Sequence, residues 1–323
     1  MNTVNTVLGP ISPGELGVTL IHEHLICGRP GQVCDARDIP YDRDEIARTC
    51  LGALEEAKEH GLTTLVDATP IDLGRDAELI RRVSYESGIN IICATGYYME
   101  AAGAPDSSHS RGVQAESAAQ VYETLMREIT QGIGDTGVKA GVIKVATGQG
   151  RISPYEEMIL KAAAKAQRET GVPIISHTEE GTMGPEQADL LISEGADPQR
   201  ISIGHMDGSA DLKYHTSVLN RGVYIAFDRL GLDVLFPDSL KTACIIGLLG
   251  IGFASRIMLS HDYVSCWPGQ TPAETAATKA VLPNWSFTHV FRNIIPALKE
   301  AGVSDDKIHT MMVDNPRRLF AGE

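Results

Sequence analysis

The chain has 323 residues, of which 43% are hydrophobic and 22% are charged. This composition is typical of a folded globular protein and excludes a disordered or fibrous chain. The 28 Lys and Arg residues against 42 Asp and Glu residues leave a formal net charge of −14. Because such a charge repels both nucleic acid and an anionic membrane surface, we expect neither as a partner.

The N-terminal segment has neither the basic region nor the apolar core of a signal peptide. The most apolar window, residues 244–253, is shorter than the roughly 18 residues that a membrane-spanning helix needs. The six cysteines contain no CxxC pair and are too sparse for a disulfide framework. Together these features predict a cytoplasmic protein with reduced thiols.

Short apolar runs predict eight strands in chain order. They cover residues 17–21, 62–68, 89–95, 138–145, 172–176, 201–204, 222–227 and 256–260. A segment with helical periodicity follows each strand, at residues 44–60, 75–87, 114–131, 154–170, 185–194, 210–220, 238–250 and 285–300. Several of these helices end in a glycine directly before the next strand, as at Gly88 and Gly171, which is typical of a helix C-terminus.

Nearly apolar strands that alternate with helices indicate a parallel sheet buried on both faces. Eight such units, with no GxGxxG after an early strand, favour an α/β fold of the (β/α)8 TIM barrel type over a doubly wound sheet. No low-complexity linker divides the chain, so we expect residues 1–323 to form a single domain. The tail, VSDDKIHTMMVDNPRRLF, predicts two short extra helices that close the bottom of the barrel.

Polar side chains occupy the predicted strand ends, where the active site of a TIM barrel forms. These residues are His22 and His24 after the first strand, then Lys144, His177, His205 and Asp262 on the fourth, fifth, sixth and eighth. Because side chains alternate along a strand, His22 and His24 face the same side and can share one cation. Histidines and an aspartate at separate strand ends indicate a metal site.

Lys144 is the unusual member of this set. An ammonium group buried beside cations is unfavourable, because it loses hydration and is repelled by like charge. Three explanations remain open at this point: a structural ion pair, the nucleophile of a Schiff-base lyase, or a carbamate formed with CO2. The carbamate would turn a cation into an anionic oxygen ligand.

The motifs at these positions resemble the phosphotriesterase family of the amidohydrolase superfamily, which includes the phosphotriesterase-like lactonases. They are LIHEHL at 20–25, VIKVAT at 142–147, ISHTEEGTMG at 175–184, IGHMDG at 203–208, FDRLG at 227–231, LSHD at 259–262 and VDNPRRLF at 313–320. The resemblance runs from LGPI near the N-terminus to NPRRLF near the C-terminus, and the motifs fall in order at the predicted strands.

The resemblance implies a binuclear metal centre with two divalent ions, usually zinc, with manganese, cobalt or iron as alternatives. One ion would be bound by His22, His24 and Asp262, the other by His177 and His205, with carboxylated Lys144 and a hydroxide bridging them. The hydroxide would attack a lactone or carboxylic ester carbonyl, and Asp262 would accept its proton. The resemblance also implies a homodimer.

Three positions near the predicted metal ligands depart from the phosphotriesterase pattern. Phosphotriesterases carry Asp at the position of Gly208, His at the position of Arg229 and Trp at the position of Tyr98. Arg229 and Tyr98 resemble the lactonases instead, so we expect them to bind substrate, although Tyr98 as an aromatic lid over the barrel mouth is an alternative. A lactone or ester hydrolase with side activity on phosphotriesters is therefore expected.

Three other activities are retained as alternatives: a phosphotriesterase (aryldialkylphosphatase), an amide hydrolase, and a Schiff-base lyase that uses Lys144. Asp67 and Asp228 are expected to orient histidines rather than to bind metal, because buried carboxylates commonly hold the rings of metal-bound histidines. Glu179 and Glu180 are expected to lie in a solvated loop.

Overall fold

The chain folds around a parallel sheet whose strands lie side by side in chain order. A computed structural model describes residues 3–28, 42–102 and 117–323. A short antiparallel pair, β1 Val4–Thr6 and β2 Gly9–Ile11, comes first. The strands of the barrel wall are β3 Thr19–Ile26, β4 Thr64–Asp67, β5 Asn90–Gly96, β6 Val142–Thr147, β7 Ile174–Thr178, β8 Ile201–Ile203, β9 Tyr224–Phe227 and β10 Ile257–Leu259. The eight predicted strands are confirmed, and the fold is a (β/α)8 TIM barrel.

The barrel closes where the end of β10 meets β3. The Asp262 N–H donates a hydrogen bond to the His22 carbonyl oxygen at 3.1 Å. A further short strand, β11 Val264–Cys266, then pairs in parallel with β3. Closure therefore brings the last strand end of the barrel against the first.

Helices cover the outer face of the sheet. They are α1 Arg43–Glu59, α2 Ala77–Ser87, α3 Ala118–Thr130, α4 Pro154–Thr170, α5 Gly184–Ser193, α6 Leu212–Leu219 and α7 Asp238–Gly250. A further helix, α8 Pro272–Val281, follows β11. As expected, α2 and α4 end at Gly88 and Gly171, both with φ of 71°, which turns the chain towards the next strand. Within the described ranges, no helix is long and apolar enough to cross a bilayer.

The expected helix over residues 285–300 is only partly right. The structure contains α8, which the periodicity missed because its small residues, AETAATKA, form no apolar stripe. Farther along, a π-helical turn at Val290–Ile294 leads into α9 Ile295–Glu300. Pro296 has no N–H to donate, so the regular α-helical hydrogen-bond ladder is interrupted at this point.

The C-terminal tail closes the bottom of the barrel, as predicted. It contains α10 Asp305–His309 and α11 Asn315–Ala321. Leu319 and Phe320 of α11 are buried in the inner core with inward residues of the strands, such as Val142. Arg200 donates hydrogen bonds to the carbonyl oxygens of Phe320 and Ala321 at 2.8 and 2.6 Å, which holds the end of the chain against the barrel.

The described cysteines carry free thiols. Cys27, Cys50, Cys93 and Cys244 are buried, and Cys266 is half-buried. Cys34 lies outside the described residues. The expected absence of a disulfide framework therefore holds for the part of the chain that the structure describes.

Candidate metal centre and active site

The two histidines of β3 turn the same ring edge towards the barrel axis. His22 donates through Nδ1 to Asp228 Oδ2 at 2.7 Å, because a carboxylate can only accept. His24 donates through Nδ1 to Thr69 Oγ1 at 2.7 Å, since the Thr69 hydroxyl already donates to the Ile26 carbonyl oxygen. The Nδ1 protons are thus fixed on the outer side, and both Nε2 atoms face inwards, towards Lys144 and Asp262.

His177 and His205 approach each other from β7 and from the residue after β8. His205 donates through Nδ1 to Asp228 Oδ1 at 2.8 Å, and His177 donates through Nε2 to Glu179 Oε2 at 2.7 Å. The remaining nitrogens, His205 Nε2 and His177 Nδ1, lie 2.8 Å apart. With both protons committed elsewhere, two nitrogen lone pairs face each other at hydrogen-bond distance.

The backbone around His205 brings its ring close to that of His177. His205 has a φ of 56°, which few residues other than glycine adopt. The preceding Gly204 lies so close to β7 that an added Cβ would stand 2.1 Å from the Ser176 carbonyl oxygen. The His205 N–H donates to Asp228 Oδ1 at 2.7 Å, which holds the unusual backbone conformation in place.

Asp262 lies between the two pairs of histidines. Its Oδ1 is 3.1 Å from His24 Nε2 and 3.7 Å from His22 Nε2, and its Oδ2 is 3.7 Å from His205 Nε2. Burial alone would raise the pKa of this carboxyl, but His205, His24, His22 and Arg229 together lower it well below its ordinary value. Asp262 is therefore an anion at neutral pH.

Lys144 extends from β6 into the same cluster. Its side chain is 2% exposed, and Nζ lies 2.5 Å from His22 Nε2. Burial lowers the pKa of Lys144 to about 8, against the opposing influence of Asp262 and Asp228. About a tenth of this amine is thus uncharged at pH 7, far more than for an ordinary lysine.

Three buried histidines of the cluster, His22, His177 and His205, are neutral in this environment. Burial, reinforced by Lys144, lowers the pKa of His22. Burial also lowers the pKa of His177 to about 4 and that of His205 well below its ordinary value. Neutral imidazoles with one proton fixed outwards are the form of histidine that binds metal.

Arg229 and Tyr98 flank this cluster on the side of the barrel mouth. Arg229 Nε donates to Asp262 Oδ2 at 3.0 Å, and both side chains are largely buried. The ring of Tyr98 packs edge-on against the ring of His177, with centroids 4.9 Å apart. Burial raises the pKa of the Tyr98 hydroxyl, so it stays protonated.

A pocket of about 230 Å³ opens over these residues. Its floor is polar and contains His24, Lys144, His177, His205, Arg229 and Asp262. Its wall is mainly apolar and aromatic, with Cys27, Leu73, Tyr98, Leu232, Leu235, Val264, Trp267 and Trp285. Convergent polar groups under an apolar wall are typical of a small-molecule site.

The donor atoms fit a divalent cation. One nitrogen each of His22 and His205 and one oxygen of Asp262 lie within 4.8 Å of one another. Imidazole nitrogen and carboxylate oxygen suit Zn²⁺ and neighbouring first-row metals. A cation is also the simplest partner for the two facing lone pairs of His177 and His205.

Known proteins resemble this chain along nearly its whole length. The sequence model of the phosphotriesterase family matches residues 2–320. The chain belongs to the phosphotriesterase family. It is 36% identical over 323 residues to a phosphotriesterase homology protein of Mycobacterium tuberculosis, covering 99% of this chain and 98% of the relative. It is 33% identical over 314 residues to an aryldialkylphosphatase of Saccharolobus solfataricus, covering 96% of this chain and 97% of that enzyme.

A solved structure of a phosphotriesterase-like lactonase variant from Deinococcus radiodurans is also similar. It superposes with a TM-score of 0.92 at 42% identity, and the match covers 98% of this chain and 100% of that chain. The resemblance predicted from the motifs is thereby confirmed. The chain is a hydrolase of the phosphotriesterase family, in which metal dependence is typical.

The structure brings together the eight residues predicted to bind metal or substrate, but two other expectations need correction. Glu179 is not a solvated loop residue, because it accepts the Nε2 proton of His177, and only Glu180 is exposed. Asp67 accepts the N–H groups of Leu25 and Thr69 instead of orienting a histidine ring itself.

The residue that accepts the Nδ1 proton of His24 is Thr69, which was not predicted from the sequence. No spacing rule connects Thr69 to His24, since the two lie on neighbouring strand ends, 45 positions apart. Asp228 behaves as expected and contacts two histidines at once.

Proposed function

We propose that this chain is a binuclear-metal hydrolase that opens lactones or cleaves related carboxylic esters, with a weaker side activity on phosphotriesters. The observation that carries the proposal is the pair of lone pairs on His177 Nδ1 and His205 Nε2, held 2.8 Å apart. Such an arrangement is repulsive unless a cation lies against both nitrogens. The neighbouring Asp262 and His22 add donors for a second cation.

In this proposal His22, His24 and Asp262 hold one ion, and His177 and His205 hold the other. Lys144, as a carbamate, would offer oxygen ligands to both ions. The uncharged amine adds to CO2 with loss of one proton; counted from the ammonium form, two protons leave, and a buried cation is replaced by an anion among neutral histidines. The lowered pKa of Lys144, about 8, supports this step because the uncharged amine is the reactive form.

Two divalent ions, when bound, polarise a substrate oxygen and lower the pKa of water towards about 7, which supplies a hydroxide nucleophile. Zinc is the ion that we favour, with manganese, cobalt or iron as alternatives. Asp262 accepts the proton of the nucleophile as it attacks, since this carboxylate is anionic and lies at the floor of the pocket.

Arg229 and Tyr98 position the substrate. Arg229 stays charged at working pH, so it holds a lactone or ester oxygen rather than carrying a proton. The Tyr98 hydroxyl, kept protonated by burial, donates to a second substrate oxygen. The apolar wall of the pocket, including Leu232 and Trp267, receives the hydrocarbon part of the substrate.

A Schiff-base lyase remains the alternative from another enzyme class. It requires a free Lys144 amine and gives no role to the four histidines and Asp262. An amide hydrolase or a phosphotriesterase as the main activity would use the same metal centre. The relative from Saccharolobus solfataricus carries the name aryldialkylphosphatase, which makes a phosphotriester a necessary member of any substrate panel.

The test is metal analysis of purified protein followed by a panel of a lactone, a carboxylic ester, an amide and a phosphotriester. We expect two ions per chain, loss of all hydrolysis on chelation, and the highest kcat/KM on the lactone or the ester. One ion or none in fully active protein would contradict the binuclear site. A Schiff-base lyase would keep its activity in chelator and lose it with borohydride and substrate.

We further propose that residues 1–323 act as one catalytic domain, that the chain forms a homodimer, and that it works in the cytoplasm. The free thiols of the described cysteines support the cytoplasmic location, because thiols stay reduced there. Size-exclusion chromatography with light scattering tests the dimer.

A further inference from the structure

Glu23 stands between His22 and His24 on β3, and its side chain is fully buried. Its carboxylate accepts four hydrogen bonds, and all four donors belong to the segment that follows β10. The donors are Ser260 Oγ at 2.8 Å, His261 N–H at 2.9 Å, His261 Nδ1 at 2.7 Å and Tyr263 N–H at 2.9 Å. Glu23 therefore contacts every residue from 260 to 263 except Asp262.

Asp262 needs such support because its backbone is strained. Its φ is 51°, in the left-handed region that non-glycine residues rarely occupy. Residues of this kind persist only where the surrounding structure holds them. The hydrogen bonds of Glu23 to His261 and Tyr263 fix the backbone immediately before and after Asp262.

The position of Glu23 is also the place where the barrel closes. Strands β10 and β3 are not hydrogen-bonded neighbours in the sheet. Two backbone hydrogen bonds link β3 to the residues after β10, from Asp262 N–H to the His22 carbonyl oxygen and from His24 N–H to the Tyr263 carbonyl oxygen. The Glu23 carboxylate and Ser260, whose Oγ accepts the His22 N–H at 3.0 Å, add side-chain hydrogen bonds to this link. The side chain of Glu23 thus supplies hydrogen bonds across this closure, where β10 and β3 do not pair as strands.

The contacts of Glu23 continue to the pocket wall through His261. The Nε2 atom of His261 accepts the Val290 N–H at 2.9 Å, and its carbonyl oxygen accepts the Trp285 Nε1–H at 2.9 Å. Because Trp285 lines the pocket, one buried carboxylate connects β3, the Asp262 segment and part of the pocket wall.

We propose that Glu23 is a positioning residue that holds Asp262 in place for one half of the metal centre, the half with His22 and His24. This inference rests on the proposed function, since it assigns the carboxylate of Asp262 to a bound ion. Glu23 does not contact the reacting atoms, and it acts only through the backbone on both sides of Asp262.

The test compares Glu23→Gln with Glu128→Gln. Glu128 is also a buried carboxylate, but it pairs with Arg75 on the outside of the barrel and has no contact with the metal centre. Both variants remove one buried negative charge, so both are expected to unfold at a lower temperature as metal-free protein. Only the variant at Glu23 should change the binding of metal.

The readout is zinc affinity, measured by competition with a chromogenic chelator. In Glu23→Gln we expect one of the two ions to bind about 10–100-fold more weakly and the other within a few-fold of wild type. Glu128→Gln should bind both ions with wild-type affinity. Glu23→Asp, which keeps the charge on a shorter side chain, should give an intermediate loss at the same ion.

If Glu23→Gln does not fold, Ser260→Ala takes its place, because it removes one of the four donors and should weaken the same ion by a smaller factor. Wild-type affinity for both ions in these variants would overturn the positioning role while leaving the proposed function intact. Equal weakening of both ions would also overturn it. A wild-type chain that binds no zinc would overturn the proposed function together with the inference.

Discussion

Replacing Arg229 by Met removes the guanidinium that lies between Asp262 and the pocket. Among the described residues, the Arg229 side chain hydrogen-bonds to Asp262 through Nε only, at 3.0 Å. Its two terminal NH2 groups are therefore able to donate to a substrate oxygen. Because the side chains of Arg229 and Asp262 are 17% and 15% exposed, solvent screens these interactions weakly.

The expected magnitude follows from the loss of one charge-assisted hydrogen bond. Such a bond contributes about 1.5–3 kcal/mol, and each 1.36 kcal/mol changes a rate about tenfold. Arg229→Met should therefore lower kcat/KM for the preferred lactone or ester roughly 10-fold to 150-fold. The loss on a phosphotriester should be smaller, because the proposed contact is specific to the lactone or ester.

The assay measures kcat/KM on a lactone and on a phosphotriester together with metal content. Arg229→Lys is the matched control, since it keeps the charge but loses the planar fork, and we expect an intermediate loss. Tyr98→Phe should show a smaller loss of the same sign. Equal proportional losses on both substrates, or loss of metal from any of these variants, would refute the assignment of Arg229 and Tyr98 to substrate binding.

Three further predictions concern other parts of the chain. Lys144→Ala should abolish hydrolysis, and added formate or acetate should restore part of it by supplying bridging oxygens; an active, fully metallated Lys144→Met would contradict the carbamate. For Asp238, burial is outweighed by His289 and Lys241, which lower its pKa from 3.8 to about 2. A depressed carboxyl pKa stabilises the fold above about pH 4 and ceases to do so as the pH falls through 2. Asp238→Asn should therefore lower the free energy of unfolding, measured in urea, by its full amount above pH 4 and by less towards pH 2. A difference from wild type that does not change with pH would contradict the lowered pKa of Asp238. Arg75→Met leaves the buried Glu128 charge without its partner, so unfolding free energy should fall by about 3–5 kcal/mol, and a loss below about 1 kcal/mol would disprove a buried ion pair.

The strand ends of the barrel could be predicted from the sequence because the relevant signals are local. His22 and His24 face one side because side chains alternate along a strand. The structure agrees, since the Nε2 atoms of both rings lie near the same Asp262 oxygen. The family motifs then supplied the pairing of strand ends that lie far apart in the chain.

Apart from those of Asp228, the contacts that hold the histidines could not be predicted, because they depend on how loops turn in space. Glu179 reaches back to His177 where the next residue, Glu180, has a φ of 51°. Neither alternation nor charge pattern signals such a turn. Helix α8 was missed for another reason: its residues are small and offer no apolar period.

Asp228 places one oxygen on His22 and the other on His205, and in the proposed function these two rings belong to different metal ions. The two binding events then share a single rigid carboxylate and are thermodynamically linked. An ion that orders one ring fixes Asp228, and the second ring loses less freedom when its own ion arrives. By reciprocity the second ion strengthens the first to the same degree, whichever arrives earlier. This coupling favours chains that hold both ions, but it is small beside the direct ligand contacts of each ion, so a change that weakens one position leaves the other within a few-fold of its affinity.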